Sequence, residues 1–187
     1  MVTLKAMLGR TLRRIAIAGL VLLAQAADVT GPIGAGRRAP GFALPDLYFR
    51  YHDLADYRGK VVLLEIMQTR CPKCQKLSQT LEKLKSELGA GVEVLGVVNP
   101  PDNQQSVAAF IDQFKITTPI LFDCGQMAAS YLRPNPRQPQ IHLPHLYVID
   151  QQGIIRAHYD PDQAEALQPE ALRDLVRRLL MEKHQKR

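Results

Sequence analysis

The sequence predicts an α/β domain, a mixed central sheet flanked by helices on both faces with extra N-terminal strands. Three observations carry that expectation. Residues 61–67 are apolar at successive positions, as in a central strand covered from above and below. A helical stripe follows at once (Leu77, Leu81, Leu84, Leu88), and then a second apolar strand over 92–98. Two further strands, 145–149 and 154–159, flank Asp150-Gln151-Gln152-Gly153, which reads as a hairpin turn, and a last helix closes the chain.

In chain order, residues 1–26 read as a secretory signal. Lys5, Arg10, Arg13 and Arg14 form a basic front, no acid precedes Asp28, and an apolar stretch runs from Ile15 to Ala24. Ala24-Gln25-Ala26 is a small-x-small cleavage pattern. The apolar stretch is far shorter than the roughly 20 residues of a membrane anchor, so no stable span is expected once the signal is cleaved. Adjacent arginines occur often in such fronts, and Arg13-Arg14 does not displace the general export route. The chain has 24 Lys and Arg against 18 Asp and Glu; the signal takes four of the basic residues, so the mature protein is near neutral. A nucleic-acid partner is not expected.

Residues 27–38 are Gly-rich and polar, a linker, and residues 39–183 form one domain ahead of a basic tail, 184–187. Short alternations over 42–47 and 48–52 suggest a hairpin at a sheet edge, and Asp56 to Lys60 a turn into the first apolar strand. Helix one should run from Cys71 to about Leu88 and stop at Gly89. A second helix is striped by Val107, Phe110, Ile111 and Phe114. A short strand follows at 120–122, then a turn of helix through Tyr131, and Pro169 opens the last helix.

The chemistry centres on Cys71-Pro72-Lys73-Cys74, placed between a strand and a helix. A helix N-terminus favours an anion, so Cys71 is expected to be the exposed nucleophile, with Arg70 and Lys73 favouring its thiolate. Cys74, one turn into the helix, is the expected resolving thiol. Glu65 interrupts the apolar strand. A buried carboxyl is costly and drifts towards neutrality, which would let it accept and return the Cys74 proton. Leu143-Pro144 precedes a strand, where the proline either punctuates the chain or forms a cis peptide facing the dithiol, beside a free backbone edge for an extended substrate. Cys124, the odd thiol, is expected to be a small buried apolar residue rather than a resolving partner of Cys71.

With these residues in hand, the chain resembles the thioredoxin superfamily, in its exported TlpA/ResA-like (redoxin, AhpC/TSA-related) branch. The matching segments are Ala39 to Leu44, Arg58 to Leu64, the Cys71 to Cys74 box, Leu143-Pro144 and Val148 to Gly153. The resemblance implies a thioredoxin-like fold with extra N-terminal strands, a nucleophilic first cysteine, a cis-proline at Pro144, and a buried acid at the place of Glu65. Departures are Arg70 where the family usually has tryptophan, Ile66-Met67 where it has an aromatic pair, and a long link over 133–140 before the cis-proline. The chain has no tryptophan.

Two other functions compete. A peroxiredoxin-like peroxidase would resemble T-x-x-C, but Gln68 stands three residues before Cys71 and Thr69 is one place off. A copper or zinc carrier could use Cys71, Cys74 and either His142 or His145, although no second C-x-x-C completes a zinc tetrahedron. The expected function is an exported thiol–disulfide oxidoreductase. Its partners are protein thiols or disulfides and an upstream redox donor or acceptor, and it works as a monomer. No dissociable cofactor is needed, because the dithiol carries both electrons.

Overall fold

The computed structural model describes residues 32–137 and 139–182, so the expected signal and the basic tail lie outside the described residues. A five-stranded mixed sheet has the order β5-β4-β3-β6-β7, built from β3 (Val61–Met67), β4 (Val92–Val98), β5 (Ile120–Phe122), β6 (His145–Ile149) and β7 (Ile155–Tyr159). Strands β3, β4 and β5 are parallel; β6 and β7 run antiparallel to their neighbours. A separate antiparallel pair, β1 (Ala43–Pro45) with β2 (Tyr51–Asp53), is the expected N-terminal hairpin, shorter than its sequence pattern. An isolated bridge, Asp46 to Leu121, ties it to the main sheet, and Leu44 packs against the core.

All seven residues of β3 are buried, and their alternation assigns the helices. Val62, Leu64 and Ile66 face α3 (Gln126–Leu132), packing with Ala128, Tyr131 and Leu132. Val61 and Leu63 face the other way, onto α1 (Pro72–Leu88) and α5 (Pro169–Met181), through Leu77, Leu81, Leu84, Leu172 and Val176. Strands β3, β4 and β5 step across the sheet in one direction. Right-handed crossovers therefore place α1 and α2 (Gln104–Phe114) on the same face. Helix α2 completes that side with Val107 and Phe110 over Met67, Cys74 and Ile120.

Helix α1 ends at Gly89, as its glycine predicts. One helix was not expected: α4 (Pro161–Ala166), opened by a reciprocal cap between Asp160 and Gln163. Its Asp-x-x-Gln signature is legible in the sequence, but the helix is too short to show a stripe. In the β6–β7 turn Asp150 Oδ1 accepts from the amides of Gln152 and Ile154. Gly153 adopts φ +76°, where a Cβ would lie 2.7 Å from the Arg58 guanidinium.

Residues 32–38, read as linker, lie against the domain. Ile33 is buried beside Tyr131, its amide donates to the Tyr131 carbonyl at 2.9 Å, and Arg38 bridges Ile154. The isolated Ile33 gave too short a pattern to reveal this. Cys124 also departs from expectation, being exposed rather than buried. Asp123 explains it: that carboxylate turns inward to accept from the amides of Met127 and Ala128 at the start of α3, which leaves the next side chain facing outward. No helix among the described residues is long and apolar enough to cross a membrane.

Candidate active site

The carboxyl end of β3 delivers the chain to the Cys71 box. Cys71 is extended (φ −81°, ψ 116°) and caps α1, and its sulfur accepts from the Cys74 amide at 3.2 Å. Pro72 sits in the first turn, where a missing N–H leaves no helix bond unmade. The helix N-terminus is thus aimed at the Cys71 sulfur. Cys71 is half-buried, and Cys74 is completely enclosed. The Leu143-Pro144 peptide is cis, and the Leu143 carbonyl oxygen lies 3.8 Å from Cys71 Sγ, so the segment expected to face the dithiol does so.

Beneath the box, Glu65 points to the α1 side of the sheet. Its Oε2 accepts from Ser78 Oγ at 2.7 Å, while Oε1 is buried with no hydrogen-bond partner. Ser78 is one turn beyond Cys74 on the same helix face. Burial pushes the Glu65 carboxyl up to about 8, against a smaller lowering by the Ser78 hydrogen bond. Burial also pushes the Cys74 thiol well above its ordinary range, assisted by the Cys71 sulfur and the nearby Glu65 charge. At neutral pH Cys74 holds its proton and Glu65 is mostly protonated, and because its carboxyl lies near 8 a minor ionised fraction is present to take a proton.

The two flanking cations are both exposed. Lys73 Nζ lies 2.7 Å from Glu165 Oε2 and 3.8 Å from Asp162 Oδ1, so α4 shares its charge. A groove of about 410 Å³ opens beside the first turn of α1, with Pro72, Lys73, Leu77, Glu165 and Leu172 in its wall.

Sequence reasoning missed what holds the box in place. Asp102, read only as part of a chain break, accepts from the Thr69 amide at 3.0 Å, from the Thr69 hydroxyl, and from Ser106 Oγ at 2.8 Å. From the other side, Gln75 Nε2 donates to the Thr69 carbonyl at 2.8 Å. The available signal was Asp102-Asn103 ahead of Ser106, a helix-start pattern, but its reach to Thr69 is a tertiary fact. Asp102→Ala is expected to lower unfolding free energy by about 2 kcal/mol, because it strips two donors on the buried Thr69 of their acceptor. Urea denaturation checks this, and an unchanged midpoint would refute it.

The metal-carrier arrangement does not assemble. His142 is exposed. His145 is buried and engaged with His158, Nδ1 to Nε2 at 3.0 Å, in a stacked pair. Burial, then the neighbouring His158, holds His145 down to about 4. Among the described residues no three His, Cys, Asp or Glu side chains are grouped to hold a metal ion. The peroxidase pattern fares no better, since the Thr69 hydroxyl is turned to Asp102.

Comparison with known proteins now decides the family: residues 35–158 match the model of the AhpC/TSA family. The chain belongs to the AhpC/TSA family. Within it, the chain is 32% identical to the thiol-disulfide oxidoreductase ResA of Geobacillus kaustophilus, over 66% of this chain and 68% of that protein. It is 31% identical to the thioredoxin-like protein YneN of Bacillus subtilis, over 65% of this chain and 68% of that one. The fold is similar to that of a secreted thiol-disulfide isomerase from Corynebacterium glutamicum, with a TM-score of 0.65 at 20% identity, covering 83% of this chain and 95% of that structure. The thioredoxin-like architecture expected for this AhpC/TSA member is therefore borne out.

Proposed function

We propose that the protein is an exported thiol–disulfide oxidoreductase that exchanges disulfides with protein partners. One observation carries the reading: a half-exposed sulfur at a helix N-terminus accepts from the amide of a second, enclosed cysteine, above a buried carboxyl. In the reducing direction, Cys71 thiolate attacks a partner disulfide, forming a mixed disulfide and releasing one partner thiol. Glu65 in its ionised form then takes the Cys74 proton, which it later returns to solvent, and the Cys74 thiolate attacks Cys71 Sγ. The Cys71–Cys74 disulfide forms, the second partner sulfur leaves and takes a proton from water, and two electrons have moved to the partner. The oxidising direction is the same sequence reversed.

Leu143 and Pro144 shape the substrate groove beside Cys71, and Arg70 and Lys73 flank its mouth. Residues 133–140 lie in the link to Pro144 and bear on partner choice. The basic front, short apolar stretch and Ala24-Gln25-Ala26 site support export with cleavage after Ala26, which leaves 39–183 as the working domain. Equilibration in glutathione redox buffers tests the function. Cys71 and Cys74 should titrate together as one two-electron couple, with a tenfold change in their ratio for about 30 mV. Failure of the disulfide to form at any poise would sink the proposal.

A further inference from the structure

We propose that Ser78 is the positioning residue of the Glu65 carboxyl: its hydroxyl binds Oε2 and so leaves Oε1 as the oxygen that exchanges the Cys74 proton. The inference rests on the dithiol reading above and adds a residue that neither the sequence patterns nor the family match singled out.

Among the described residues, Ser78 is the one group that hydrogen-bonds Glu65 and so orients it. In the sheet, β4 sets Gly96 opposite Glu65 and β6 sets Leu146 there, so neither neighbouring strand offers a donor or a charge. Helix α2 contributes Val107 and Phe110 to the adjoining core, and α5 contributes Leu172 and Val176. Helix α1 brings the titratable groups that face it, Cys74 and, at its cap, Cys71. No cation pairs with the carboxyl among the described residues; the Ser78 hydroxyl is its hydrogen bond. Ser78 is itself buried, and its oxygen also lies 3.5 Å from Met67 Sδ, a weak acceptor that confines the rotor.

A carboxyl with one oxygen bound and one bare is asymmetric. A donor on Oε2 favours negative charge there, so an added proton goes to Oε1. An unpartnered buried carboxyl oxygen is costly in a resting structure, and it is what a proton acceptor requires. During resolution the ionised form of Glu65 takes the proton of Cys74 S–H on Oε1, directly or through one water, and the thiolate attacks Cys71 Sγ, expelling the partner thiolate. No further oxidant or reductant enters.

The test pairs Ser78→Ala with Ser78→Thr, which restores a hydroxyl, and uses Glu65→Gln as the reference. The first readout is the titration of the Glu65 side-chain carboxyl by carbon-13 NMR in the intact dithiol protein. Ser78→Ala should raise its midpoint by about one pH unit, since the lost donor favours the charged form, and Ser78→Thr should return it most of the way. The second readout is the rate at which Cys74 resolves a mixed disulfide on Cys71, followed from pH 6 to 10. Ser78→Ala should move its inflection up by the same amount and slow resolution roughly three- to tenfold at pH 7. An unmoved carboxyl midpoint in Ser78→Ala would overturn the role of Ser78 while leaving that of Glu65 intact. If Glu65→Gln resolves with the unaltered pH profile, the Glu65 reading fails and this one with it; a carboxyl midpoint that still moves in Ser78→Ala tells the two failures apart.

Discussion

Cys74→Ala should stop turnover and leave the protein covalently joined to its partner. Cys71 would still attack a partner disulfide, because its sulfur sits at the helix N-terminus and remains half-exposed. Nothing inside the domain would then release the mixed disulfide, since Cys124 is exposed at the end of β5, two strands from β3 in the sheet. Disulfide-exchange turnover is expected to fall by at least ~10³-fold, with an adduct visible by mass under non-reducing conditions. Cys71→Ser should lose activity to the same extent and give no adduct. Adduct formation in Cys71→Ser, or turnover surviving in Cys74→Ala, would contradict the assignment of nucleophile and resolver.

The second large effect is on stability. Glu65 titrates near 8 in the folded protein and at its ordinary 4.5 when unfolded, so between those values the folded state binds the extra proton. Stability from this group is complete below about 4.5 and is lost as pH rises through about 8. Wild-type unfolding free energy should therefore fall on the order of 3 kcal/mol more between pH 5 and 9 than that of Glu65→Gln, which has no charge to bury. Urea denaturation of both proteins at pH 5, 7 and 9 measures the difference. Parallel pH dependences would mean that Glu65 reaches solvent or a counter-charge in solution.

The legible parts of this protein share a physical cause. Strand β3, the stripe of α1 and the Cys71 box are local: residue periodicity, a proline in the first turn and a terminating glycine act within a few residues. Glu65 stood out because an acid inside an apolar strand has few structural excuses. The misses are non-local. Ile33 is an isolated apolar residue whose burial depends on Tyr131 closing over it. Cys124 followed an apolar run, but the inward turn of Asp123 to cap α3 decided its exposure. Asp102 was visible only as a break until folding brought it to Thr69. Lys73 reads as a cation beside Cys71, and its ion pair with Glu165 depends on α4, which the sequence did not show.

The sequence by itself determined the fold class, the order of elements and the two thiols, because each is written in patterns spanning a few turns of helix or one strand. Only the tertiary structure decided how the dithiol is held and tuned. The partner of Glu65, the anchor of Thr69 and the carbonyl beside Cys71 come from residues 13, 33 and 72 positions away in the chain. Spacing of that kind has no local signature, since it is fixed by how the helices and the cis-proline loop pack on the sheet.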